Sequence, residues 1–254
     1  MRVRQIYSAF GWHLKGTLME KYGLIPSHNM REPVLFFGCY GLKQMEKMLK
    51  WSQTAKVIVW WSGSDCPFFK KHPDIVEQLK SNSNITHIAT VNFIEKDLQN
   101  MGLPYKKIPL FSHPIDAFKP SPLGDAIYIY KPGSPIYCGW NVVDRIKKEF
   151  PTVPILEVRN HHVYNQEQIK EIYRQSFLGI RLTRHDGLSH SVCELGLMGR
   201  KMIHNGDTPN SVNYDNHDDI MIKIENIVKQ KYNPYNLALK VHKYLDVGED
   251  WLNV

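Results

Sequence analysis

Apolar positions along the chain fall into two rhythms. Short runs of β-branched and aromatic residues, bounded by glycine, proline or polar clusters, alternate with stretches in which apolar residues recur every three or four positions. The runs predict strands at Pro33–Gly38, Lys56–Trp61, Ile85–Ala89 and Ile108–Leu110, then at Asp125–Tyr130, Ile155–Val158, Leu178–Leu182 and Lys201–His204. The helical periodicity predicts Leu42–Trp51, Phe93–Met101, Trp140–Phe150, Gln166–Gln175 and Ser191–Gly199. Strand alternating with helix in this way is the pattern of a parallel α/β sheet. Residues Ser8–Tyr22 fit either a helix or a strand and turn, and Pro234–Asp250 reads as a polar surface helix.

One interruption stands out. Lys119-Pro-Ser-Pro-Leu-Gly-Asp125 breaks both periodicities, and a fresh strand follows at once. It divides the chain into 1–120 and 121–254, each with its own strand–helix alternation. Two Rossmann-like domains facing a cleft are expected, with the last helix packing back on the first domain. Ligands of such domains bind in loops at the carboxyl ends of the strands.

Composition narrows the class. Hydrophobic residues at 43% and charged residues at 22% describe an ordinary globular chain. No apolar run approaches the ~18 residues of a membrane span, and MRVRQIYSAFGWHLKG lacks a signal-peptide core. Cys39, Cys66, Cys138 and Cys193 are scattered without a CxxC pair, which favours reduced thiols and a cytoplasmic setting. The 32 Lys and Arg against 25 Asp and Glu leave +7. That excess is spread over pairs such as Lys70-Lys71 and Arg200-Lys201, read as solvated surface that also attracts small anions. A nucleic-acid partner is therefore not the expectation.

The chemistry concentrates in RHDGLSHSVCELGLMGRKMIHNGD, residues 184–207. A buried strand ends just before it, so Thr183 to His190 forms a loop leading into a helix. Free amides and the positive end of the helix dipole favour an anion there. Glu194 then sits near the start of an apolar helix, where a carboxylate can accept two hydrogen bonds from a ribose diol. Asp186 can accept from a sugar hydroxyl. Two plainer readings stand beside these. Ser191-Val-Cys-Glu194 matches a capping box, and Asp186 before Gly187 matches an Asx turn.

This stretch resembles the E-x(7)-E segment of glycosyltransferase family 4, retaining enzymes of GT-B fold. Asp186, Glu194, Gly199 and the strand after it match in order, with Asp186 in place of the usual first Glu. A second resemblance runs from Thr90-Val-Asn-Phe-Ile-Glu-Lys-Asp-Leu98 through Lys107-Ile-Pro-Leu110 to Pro114-Ile-Asp-Ala-Phe-Lys-Pro120. A third covers Gln166–Leu182. Together they span residues 85 to 207. The short length is similar to that of abbreviated glycosyltransferases encoded by large algal viruses.

The resemblance implies transfer of a hexose, mannose from GDP-mannose first, to a glycan or glycoconjugate acceptor bound by the first domain. It implies a donor diphosphate stabilised by Lys131 and Arg184 near Gly133, with Asp186 on the transferred sugar. Donor contacts are expected from Gly187, Leu188, Ser189, His190, Ser191 and Glu194, and the base against Arg159, His162 and Tyr164. The Lys that normally accompanies the phosphate-binding Arg has no match in Ile136–Gly139. Trp61-Ser-Gly-Ser-Asp65 lies where the family has H-G-x-D. No DxD motif occurs, and Asp218-Asp219 is read as a loop without a third ligand, so neither metal nor other cofactor is expected. A UDP-sugar donor, a nucleic-acid glucosylating or binding protein of the same fold, a non-catalytic nucleotide-sugar binder and a GT-B epimerase are the alternatives. The oligomeric state, a homodimer included, is left open.

Overall fold

In the computed structural model the strand–helix alternation is realised twice, in two compact units. The structure describes residues 1–8, 12–63, 65–131, 140–159, 164–183, 186–230 and 232–254, with backbone alone at 12–15 and 140. The first unit comprises Met1–Pro114, His185–Leu188 and Val247–Val254; the second comprises Ile115–Arg184 and Ser189–Asp246.

The first unit carries β1 (Gln5–Ser8), α1 (Trp12–Tyr22), β2 (Ile25–Pro26), β3 (Val34–Phe37), α2 (Leu42–Ser52), β4 (Val57–Trp61), α3 (Asp65–Phe69), α4 (Pro73–Lys80), β5 (Ile85–Ala89), α5 (Asn92–Asn100) and β6 (Tyr105–Lys107). Its strands lie in the order β2-β1-β3-β4-β5-β6, paired in parallel. Every residue of β3 (VLFF) and β4 (VIVWW) is buried, as a parallel sheet covered on both faces requires. One face packs Met45, Met48, Trp51 and Phe69. The other packs Leu18, Tyr22, Trp251 and Leu252, so the C-terminal tail completes this core.

The Ile108–Leu110 strand is corrected to β6, three residues earlier. Tyr105–Lys107 pairs with His87–Ala89, and the Ile108 amide adds a last bond to the Ala89 carbonyl. Exposed lysines at a sheet edge discourage further pairing, which hides such a strand from an apolar-run criterion. The undecided N-terminus resolves into both a strand, β1, and a helix, α1.

Two buried polar groups hold this unit's carboxyl edge. Asp65 accepts from the amides of Ser62, Gly63, Cys39 and Cys66 at 2.9–3.3 Å, which ties the loops after β3 and β4 together. Burial raises its pKa, and those amides oppose the shift. His87 accepts at Nδ1 from the Trp61 indole N–H, 3.1 Å away, and burial pushes it down to about 4.

The second unit carries β7 (Ala126–Lys131), α6 (Trp140–Glu149), β8 (Ile155–Arg159), α7 (Gln166–Arg174), β9 (Ser176–Ile180), α8 (His190–Leu197), β10 (Lys201–Ile203), β11 (Ser211–Val212), α9 (His217–Lys229) and α10 (Pro234–Leu245). Its strand order is β11-β10-β9-β7-β8, again parallel. Ile127, Ile129, Ile146, Ile203 and Ile224 fill the core on one face. On α8 every residue from Ser191 to Leu197 is buried, and α10 packs on it. Gly199, at φ +92°, ends α8, and any side chain there would collide with Pro234 at the start of α10.

Three readings are corrected here. The strand expected at Leu178–Leu182 is β9, which starts and ends two residues earlier, so Arg181 opens the loop rather than sitting inside the sheet. Asp218 and Asp219 are not loop residues. They form the first turn of α9, capped by Asn216, and pair with Arg145 and Lys223. Arg200 is not solvated surface but fully buried.

Candidate functional site

Strand order locates a crevice before any motif is consulted. From β7 the chain steps outward to β8 on one side, then returns to β9 on the other. Loops leaving β7 and β9 therefore diverge, which is the topological switch point where open α/β sheets bind ligands.

The carboxyl edge at this point is cationic. Lys131 ends β7 and lies opposite Arg159, the last residue of β8. Glu157 gathers three cations: Lys147 at 2.7 Å, Lys131 at 3.1 Å and Arg159 at 3.5 Å. The Lys147 hydrogen bond, then the one from Lys131, hold the Glu157 carboxyl down to about 2. One carboxylate against three cations leaves a positive surplus. Arg181, just past β9, adds to it with its guanidinium carbon 4.1 Å from the centre of the Tyr130 ring. A cation stacked in this way stays charged and is held near the edge.

The helix that follows β9, α8, carries a buried carboxylate. Glu194 is 5% exposed, and its Oε2 accepts from the Tyr173 hydroxyl at 2.7 Å. The Tyr128 ring on β7 lies edge-on to that of Tyr173, with centroids 5.3 Å apart. Ser189 and Ser191 hydroxyls lie 3.3 Å apart. The capping-box reading of Ser191 and Glu194 does not hold: Ser189 occupies the N-cap, and Ser191 is the second residue of α8. A genuine capping box opens α7 instead, where Asn165 and Gln168 bond reciprocally at 2.9 Å. An acid stands in the apolar helix α8 because it has a buried phenol to receive.

The predicted site residues divide. Lys131, Arg159, Ser189, Ser191 and Glu194 all belong to the second unit, with Lys131 and Arg159 gathered at one sheet edge and the other three on α8 and its cap. His190 is the half-buried first residue of α8, and Tyr164 is half-buried before the α7 cap. Asp186, Gly187 and Leu188 cluster with the first unit, where Leu188 packs on the core. A side chain at Gly187 would overlap the Ser62 carbonyl, so the glycine is required by close approach. Gly133, His162 and Arg184 lie outside the described residues. Sequence reading missed Arg181, Tyr128 and Tyr173. One of them carries a readable signal, since Tyr128 repeats with Tyr130 at strand spacing on one face of β7. Among the described residues no group of His, Cys, Asp and Glu could hold a metal ion, and no helix is long and apolar enough to cross a membrane.

No protein-family model and no curated protein matches the sequence. Solved structures do match the fold. A sucrose-phosphate synthase from Thermosynechococcus elongatus aligns over 93% of this chain and 72% of its own, at 10% identity and TM-score 0.57. The apo structure of OtsA aligns over 92% and 73%, at 10% identity and TM-score 0.59. A mutant of S. aureus TarM in complex with fondaparinux, α-GlcNAc-glycerol and UDP aligns over 86% of this chain and 53% of its own, at 12% identity and TM-score 0.61. The chain thus has the GT-B architecture of two Rossmann-like domains with parallel sheets.

Proposed function

We propose that the protein is a retaining glycosyltransferase that moves a hexose from a nucleotide sugar to a glycan or glycoconjugate acceptor. The observation that carries this reading is Glu194, a buried carboxylate on α8, the helix that follows the cationic switch point of β7 and β9. A carboxylate accepts both hydroxyls of a ribose. Lys131 and Arg181, with the amides of α8, suit the two phosphates that follow it.

The chemistry asked of these residues is electrostatic. The bond from the anomeric carbon to the diphosphate breaks, and negative charge grows on the leaving phosphate. Lys131 and Arg181 lower the energy of that charge more than that of the bound donor, so they act on turnover. The acceptor hydroxyl attacks from the same face, and its proton passes to the departing phosphate oxygen. Asp186 is assigned to the transferred sugar. No metal has a step in this scheme.

GDP-mannose is the first donor to test. The complex of the TarM mutant contains UDP, which keeps a UDP-sugar beside it. Incubation with each donor and a panel of sugar acceptors, read by release of nucleoside diphosphate and mass gain of the acceptor, tests the reading. Acceptor-dependent product supports it. Tight binding without turnover supports the non-catalytic alternative, which the pairing of Lys131 with Glu157 favours.

A further inference from the structure

We propose that Tyr173 is a positioning residue for the donor: its hydroxyl fixes the Glu194 carboxylate in the orientation that receives the ribose. The inference rests on the assignment of Glu194 above and adds the group through which that assignment works.

Glu194 is the one carboxylate in the buried run Ser191–Leu197, and taking a carboxylate out of water costs several kcal/mol unless it is well hydrogen-bonded. Tyr173 meets that need from another element. It lies 1% exposed on α7, 21 positions earlier, with its ring edge-on to Tyr128 at 5.3 Å and tilted against Phe118 at 6.5 Å. Two aromatic neighbours leave the phenol little freedom to swing. Its single proton goes to Glu194 Oε2, 2.7 Å away. The clamp therefore runs from α7 to α8, between Tyr173 and Glu194. The carboxylate is thereby held in place near the start of α8. A clamped acceptor binds a diol without ordering itself first, which is how preorganisation raises affinity. If the bond served folding alone, an apolar pair in its place would do as well.

The test is isothermal titration of the full chain with GDP and UDP and with their 2′-deoxy forms. Wild type is expected to prefer the ribonucleotide by about tenfold, the worth of one charge-assisted hydrogen bond. Tyr173→Phe keeps the ring and removes the hydroxyl. It should cut the preference to threefold or less while binding of the deoxy form stays within twofold. Tyr128→Leu removes the ring that holds the Tyr173 phenol edge-on; it should lower the preference by a smaller factor, and it carries the test if Tyr173→Phe does not fold. A full ribose preference in both variants overturns the role of Tyr173 and leaves that of Glu194 standing. Equal loss for ribo and deoxy forms also overturns it, since that is what a structural defect produces. If wild type shows no preference, or Glu194→Gln keeps it, the Glu194 assignment itself fails.

Discussion

Stability at acid pH tests the packing of the first unit through one residue. His87 is 1% exposed and accepts the Trp61 indole proton, so the native state holds it neutral. Burial lowers its pKa from 6.5 to about 4. Between those values the unfolded chain binds a proton that the native state refuses, so stability is complete above pH 6.5 and falls as the pH drops. Evaluating both titrations gives a loss of about 2 kcal/mol from pH 7 to 5, and about 3 kcal/mol by pH 4. Other groups titrate over the same range, so the quantity to measure is a difference between proteins. His87→Gln keeps an acceptor for the indole and removes the titration. Urea unfolding followed by tryptophan fluorescence at pH 7, 5 and 4 should show the wild type losing those amounts relative to the variant. Parallel curves, with a constant gap across pH, would refute the assignment of a neutral buried imidazole.

Two further substitutions probe the second unit. Arg200 donates to the carbonyls of Tyr173, Ser176, Ser121, Pro122, Arg174 and Met198, which pins the linker to the α7–β9 corner. Arg200→Lys keeps the buried charge but has three donors, so about 3 kcal/mol of stability should be lost in chemical denaturation; a loss under 1 kcal/mol contradicts this account. Lys131→Ala should reduce kcat by about ten- to hundredfold with KM within threefold, because its charge partner develops in the transition state. A rise in KM at unchanged kcat would instead make Lys131 a ground-state ligand.

How much of this was legible beforehand depends on where the information lies in the chain. VLFF, VIVWW and ITHIA are buried on both faces and announce themselves as strands, within a residue of their observed ends. QIYS and YKK are short and mixed in polarity, and their strand character comes from the neighbours they pair with. Glu194 was conspicuous as an acid in an apolar helix. Its partner was not, because Tyr173 sits on α7 at ordinary amphipathic spacing and reaches Glu194 through the tertiary fold. Arg200 looked like half of a surface pair with Lys201. Six carbonyls converging from distant segments decide otherwise, and no local pattern encodes their convergence. Arg181 was hidden by a boundary placed two residues late, which turned an edge cation into a strand residue.

The most direct measurement is titration of the purified protein with GDP-mannose, UDP-glucose and UDP-GlcNAc, with and without EDTA, alongside the Glu194→Gln variant. The account predicts saturable binding of one sugar nucleotide, unchanged by chelation and weakened at least tenfold by the substitution. Binding of none of them, or equal binding by the variant, would contradict it and leave Glu194 as a buried partner of Tyr173 with no donor to hold.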